Sequence, residues 1–109
     1  MRASEAVSAI VNLIVNATDA MPTGGVITVR TGAETGGGWI DVIDDGPGMP
    51  PEVESRVFEP FFTTKPEGTG LGLAIVYAFV QRHQGKIQLE TAPGRGTRIR
   101  LWFLAAPAA

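Results

Sequence analysis

Four short segments rich in glycine and polar residues punctuate this chain in a fixed order, and each interrupts a stretch of clear periodicity. They are Asn12-Leu-Ile-Val-Asn16-Ala17, Asp44-Asp-Gly-Pro-Gly48, Phe58-Glu-Pro-Phe-Phe62 and Gly68-Thr-Gly-Leu-Gly72-Leu73. Around them the apolar residues repeat every three to four positions, then alternate strictly, then do both again. A chain patterned in this way must fold as helix, hairpin, loop, helix and hairpin.

From about Ser4 to Met21, Val7, Ile10, Ile14, Ala17 and Met21 recur at helical steps and predict one apolar face. Pro22 and the pair Gly24-Gly25 end that helix. Val26 to Arg30 sets Ile27 and Val29 against Thr28 and Arg30, as a half-buried strand does. Gly36 to Gly38 reads as a turn, and Trp39 to Ile43 as the returning strand. Asp44 to Pro51 is a loop, Glu52 to Val57 a short helix, and residues 62–69 a segment without periodicity, expected to be a mobile loop. Gly70 to Gln84 predicts a second helix with Leu73, Val76, Ala78 and Val80 inward and Gly85 as its stop. The last hairpin turns at Pro93-Gly-Arg-Gly96. Ile87, Leu89 and Thr91 face the core with Thr97, Ile99, Leu101 and Phe103, while Lys86, Gln88, Glu90, Arg98 and Arg100 form a solvated outer face. The expected fold is α+β: one domain over residues 1–109, a two-layer sandwich of helices on a mixed, mostly antiparallel sheet.

A chain of 109 residues buries a core without metals or crosslinks. It has no cysteine, which excludes disulfides and thiolate metal sites and suits a reducing compartment such as the cytoplasm. A net charge of -2 with no basic run argues against nucleic acid as the main partner. No apolar run approaches the roughly 18–20 residues of a membrane span, so no membrane contact by this chain is expected.

Glu5, Ser8, Asn12, Asn16 and Asp19 lie on one stripe of the first helix. Such a stripe is ordinarily a solvated face. Asparagine, however, is a poor helix former that competes for backbone hydrogen bonds, and two of them four apart suggest oxygen donors held at fixed depth. Asn16 could coordinate magnesium, a hard ion that takes oxygen ligands and keeps several waters. Asn12, one turn earlier, could reach a phosphate. At the end of the next hairpin, Ile40, Val42 and Asp44 share one parity, which points Asp44 inward. A buried carboxylate costs several kcal/mol unless paired, about the scale of a lost charge-assisted interaction. No cation lies nearby in sequence, and the exocyclic amine of adenine would serve. Gly46 and Gly48 let the backbone pass close to a base. The segment alone leaves an ordinary Asp-Gly turn centred on Asp45 equally open. Gly68-x-Gly70-x-Gly72 lacks the Gly-Lys-Ser/Thr of a P-loop and runs straight into a helix, so the amides of Gly70, Leu71 and Gly72 can cradle phosphates. Lys65, just upstream, is either a solvated lysine or a charge for the outermost phosphate.

In this order and spacing the four segments resemble the N, G1, F and G2 boxes of sensor histidine kinases, within the ATPase superfamily that also holds gyrase, Hsp90 and MutL. Phe58-Glu-Pro-Phe-Phe-Thr-Thr-Lys65 followed so soon by the glycine segment is similar to a short-lid subgroup typified by nitrogen-regulation and dicarboxylate sensors. The resemblance implies a Bergerat-type fold, ATP and Mg2+ as cofactors, Asp44 on adenine, Asn16 on the metal, residues 63 to 69 as lid, and Thr97 in support of Asp44. It adds Asp19, Met49, Thr69 and Leu73 to the nucleotide-contacting set and makes Phe58, Phe61 and Phe62 hinge anchors, with Phe58 equally a plain core aromatic. ATP-hydrolysing relatives carry a glutamate where Asn12 stands, and asparagine cannot act as a general base. The resemblance therefore implies transfer of the γ-phosphoryl group to a histidine on a separate dimerisation domain and, through it, to a response regulator. His83 is expected to be structural. The chain begins close to the N-box helix and is expected to be an N-terminally truncated domain, monomeric in isolation, from a parent that is free to be membrane-anchored. Two other readings stand beside this one: an ATP-binding switch without chemistry, and a serine kinase of the anti-sigma type, which usually keeps the glutamate.

Overall fold

A computed structural model describes residues 3–34, 36–59, 62 and 72–104. The elements are α1 (Ala3–Ala20), β1 (Ile27–Glu34), β2 (Gly37–Asp44), α2 (Pro51–Glu54), α3 (Gly72–Arg82), β3 (Lys86–Thr91) and β4 (Thr97–Leu104). The strands form one sheet in the order β1-β2-β4-β3. All three pairings are antiparallel, where the sequence pattern allowed a mixed sheet. β4 reaches β2 across the sheet, so the final hairpin inserts its second strand beside the first hairpin. This sets Thr97 directly opposite Asp44. Helices α1 and α3 pack on each other and on one face of the sheet. Between them lies a core of Ala9, Leu13, Val42, Val57, Leu73, Val76, Phe79, Val80, Ile99 and Leu101.

The face that α1 buries overlaps the expected one, with Ala17 and Met21 buried and Ile10 and Ile14 half-buried, but it is centred on Ala9 and Leu13 and leaves out Val7. Val7 is 58% exposed and Val11 and Val15 are each 51% exposed, whereas Ala9, Leu13 and Ala17 are buried. A helix with valine, isoleucine or leucine on most sides offers more than one apolar stripe. The stripe used is the one on which small residues, Ala9 and Ala17, flank Leu13 and let α1 approach α3 and the sheet. In α3 the same correction is local: Phe79 is buried and Ala78 is exposed.

Boundaries moved for identifiable reasons. β1 continues to Glu34 and pairs with a β2 that begins at Gly37, so the turn contracts to the neighbourhood of Gly36, whose φ is 88°. α2 is a single turn entered through Pro51, which needs no N–H there. At the end of α3, Gln84 takes the left-handed φ of 57°, and Gly85 N–H donates to Val80 O at 2.9 Å. That is a Schellman cap with glutamine at the left-handed position. Glycine is needed one residue later, where a Cβ would collide with the carbonyl of Trp102.

The outer face of the sheet, expected to be simply solvated, hides a carboxylate. Asp41 is 0% exposed. The guanidinium of Arg100 donates two hydrogen bonds to it, the second at 2.9 Å, and Arg98 lies 3.9 Å away. Those hydrogen bonds hold the Asp41 carboxyl below the usual carboxylate range, against the opposing effect of burial. Arg100 is also 4.1 Å from the ring centre of Trp39, which lies over Gly32 where a Cβ would strike the indole. An aromatic thus covers a glycine in a strand that would otherwise lack side-chain packing.

Candidate functional site

Asp44 ends β2 on the helix-facing side and is 8% exposed. Its Oδ1 accepts the N–H of Gly46 at 2.9 Å, and among the described residues no cation pairs with it. The neighbouring Asp45 is exposed and accepts the N–H of Val26 at 2.9 Å, which ties the loop to the entry of β1. The two aspartates therefore separate: one buried and facing inward, the other bracing the backbone. Gly46 is closely walled, since a Cβ there would sit 3.0 Å from Asp44 Oδ1 and 3.1 Å from Met21 Cγ. Gly48 has φ 72°, and a Cβ on it would run into the carbonyl of Ala92.

The loop after Asp44 is stapled to the β3–β4 hairpin. Gly94 N–H donates to Pro47 O at 2.7 Å, and Met49 N–H donates to the hydroxyl of Thr91 at 2.9 Å. That hydroxyl is also 3.0 Å from Gly96 O and 3.0 Å from Thr97 Oγ1. Thr97 is 7% exposed and sits across from Asp44 in register. The residues that bind the loop in this way are far apart in sequence. Thr91 was visible only as a core-facing strand residue, and Met21 only as the last apolar step of a helix.

On the helical side, Asn12 and Asn16 are half-buried and sit at the margin of the buried stripe. The Nδ2 of Asn12 donates to Ser8 O at 3.0 Å, and its Oδ1 lies 3.7 Å from the position a Cβ would take on Gly72. The structure therefore brings Asn12 to the start of α3. Leu73 is buried in the core. Asp19 is exposed on the last turn of α1. Phe58 packs against the core and stacks on Tyr77 with ring centres 5.6 Å apart, while the Arg56 guanidinium sits 4.5 Å above the ring of Phe62. His83 lies 4.8 Å from Phe79, ring centre to ring centre. Phe61, Lys65, Thr69, Gly70 and Leu71 lie outside the described residues, as do residues 63 to 69 as a whole. Among the described residues no group of three or more His, Cys, Asp or Glu side chains could hold a metal ion, and no helix is long and apolar enough to cross a membrane.

A two-helix layer on an antiparallel sheet, with a buried aspartate closing one strand and an asparagine of α1 beside the start of α3, defines a recognisable class. Residues 2–107 match the family described as histidine kinase-, DNA gyrase B-, and HSP90-like ATPase, and the chain belongs to that family. It is 46% identical over 95 residues to the sensor histidine kinase ZraS of Escherichia coli O157:H7, covering 86% of this chain and 20% of that protein. To the sensory histidine kinase/phosphatase NtrB of Rhodobacter capsulatus it is 41% identical over 109 residues, covering 88% of this chain and 30% of that protein. Among solved structures, a mycobacterial sensor histidine kinase, MprB, superposes with a TM-score of 0.84 at 34% identity, over 99% of this chain and 75% of that one. The catalytic domain of histidine kinase ThkA gives a TM-score of 0.86 at 30% identity, over 98% and 71%. The chain thus spans a fifth to under a third of the length of these curated relatives.

Proposed function

We propose that this chain binds ATP with magnesium and donates the γ-phosphoryl group to a histidine carried by a separate dimerisation domain. The observation that carries the reading is a buried aspartate with no cation partner among the described residues; an asparagine oxygen of α1 beside the start of α3 supports it. An uncompensated buried carboxylate calls for a donor from outside, and an adenine amine supplies one. Gly46 and Gly48 keep the backbone free of side chains beside it. Asn16 would give magnesium one neutral oxygen, with the phosphates and water completing the octahedral shell that this ion prefers.

Asn12 cannot take a proton from water, so hydrolysis is slow and the phosphoryl group waits for a supplied nucleophile. Transfer breaks the bond between the γ-phosphorus and the β–γ bridging oxygen and forms a phosphorus–nitrogen bond to imidazole, leaving ADP. The site contributes positioning and charge neutralisation. The relatives are named sensor histidine kinases, which supports a histidine-bearing domain as the immediate partner and a response regulator beyond it.

Mixing the chain with such a dimerisation domain and γ-labelled ATP tests this directly. Label on the histidine domain is the expected outcome. Tight magnesium-ATP binding with no label transferred to any histidine domain would instead make the chain a nucleotide switch.

A further inference from the structure

Thr91 Oγ1 is in contact with three polar groups but owns a single proton. Met49 N–H can only donate to it, and Gly96 O can only accept from it. A hydroxyl has one donor and two lone pairs. The one assignment that satisfies all three contacts spends the Thr91 proton on Gly96 O and fills its lone pairs with the Met49 N–H and the Thr97 O–H. Thr97 is therefore the donor in the 3.0 Å contact between the two hydroxyls. Its proton is committed to Thr91, and what Thr97 has left is a pair of acceptor sites.

Thr97 faces Asp44 across the β2–β4 ladder on the same side of the sheet. Side chains directly opposite in an antiparallel pair have Cβ atoms about 5 Å apart. The Asp44 carboxylate already accepts from Gly46 and can only accept. These two side chains thus offer acceptors alone to whatever lies against them.

We propose that Thr91 is a positioning residue for purine selectivity: by holding the Thr97 proton it makes Thr97 an obligate acceptor beside Asp44. An exocyclic amine, with two N–H donors, meets partners there directly or through a water. A carbonyl at the same ring position, as in hypoxanthine, meets only lone pairs. This rests on reading Asp44 as the purine-binding group, and it adds a second, adjustable determinant to that group.

The test compares ADP with IDP, which differ at that ring position. Calorimetry on the wild-type chain should give a clear preference for ADP. Thr91→Val removes the hydroxyl at nearly constant volume and frees the Thr97 proton to turn toward a carbonyl. The ratio of the IDP to the ADP dissociation constant should fall about fivefold, the worth of one neutral hydrogen bond. Thr91→Ser should keep the wild-type ratio. Loss of the staple to Met49 alone would weaken both nucleotides equally and leave the ratio unmoved. In a Thr97→Val background, Thr91→Val should no longer change the ratio. A fall that persists there assigns the effect to loop displacement and overturns the proposal, as does an unchanged ratio in Thr91→Val. Should Thr91→Val fail to fold, Thr91→Ala carries the same comparison. A wild-type chain that binds neither nucleotide, or an Asp44→Asn variant with unaltered affinity, would overturn the underlying purine reading, which is a separate and distinguishable failure.

Discussion

Asp41 and Asp44 lie three residues apart on opposite faces of β2, and both are buried, yet chemistry divides them. Asp41 is neutralised in place by Arg100 and Arg98. Asp44 keeps one backbone N–H and, among the described residues, no cation. Substituting each should therefore give opposite signatures. Asp44→Asn should cost little stability and weaken ADP and ATP alike by at least about tenfold, the scale of a hydrogen bond to a charged group; calorimetry with both nucleotides reads this out. Asp41→Asn should lower unfolding free energy by about 2 kcal/mol, because charge-assisted hydrogen bonds are lost, and leave nucleotide affinity close to wild type. Its pH dependence follows from sign. The folded pKa of Asp41 lies below its unfolded value, so the unfolded chain binds more protons in acid. The stabilisation is complete above the ordinary carboxylate pKa of about 4 and is lost as pH falls through the lower folded value. Urea titrations between pH 7 and pH 2 should show wild type losing that increment below about pH 4, and Asp41→Asn lacking it throughout.

At the scale of elements, the loop from Asp44 to Met49 depends on the β3–β4 hairpin rather than on its own residues. Gly48 combines a left-handed φ with a backbone carbonyl where a side chain would begin. Gly48→Ala should therefore lift the loop off Ala92, costing more than the roughly 1–2 kcal/mol of a left-handed alanine, and should weaken nucleotide binding with it. Denaturant midpoints and calorimetry on the same sample check both halves. In α1, Leu13 is 1% exposed between Ala9 and Ala17. Leu13→Ala should destabilise by about 2–5 kcal/mol through the cavity it leaves, whereas Val11→Ala, on the exposed side, should stay within about 0.5 kcal/mol.

For the whole molecule, sheet and helices are joined by the core, and the proposed nucleotide site would draw on both layers. A ligand that touches β2, the loop and the start of α3 binds only the folded chain. ADP at a hundredfold its dissociation constant should add about 2.7 kcal/mol, or on the order of 10 °C in the melting temperature of a domain this size. Asp44→Asn should abolish most of that shift at the same ADP concentration, while Asp41→Asn, starting from a lower melting temperature, should retain it.

Local periodicity carried the two long helices, the two hairpins and the inward parity of Val42, Asp44, Ile99 and Leu101, because a repeat of two or of 3.6 residues records which side of an element is dry. The spacing of asparagines, glycines and phenylalanines carried the family resemblance. The pattern did not place Ala9 and Leu13 at the centre of the buried stripe of α1 or leave Val7 outside it, since that depends on how closely small residues let neighbours approach. Nor could it reveal that Arg100 serves Asp41, 59 positions away, or that Thr91 closes on Met49, 42 positions away. Both contacts exist only because β4 inserts beside β2. A strand register couples distant residues through backbone hydrogen bonds that leave no periodic trace in either partner, and so the fate of each buried polar group was decided when the sheet assembled.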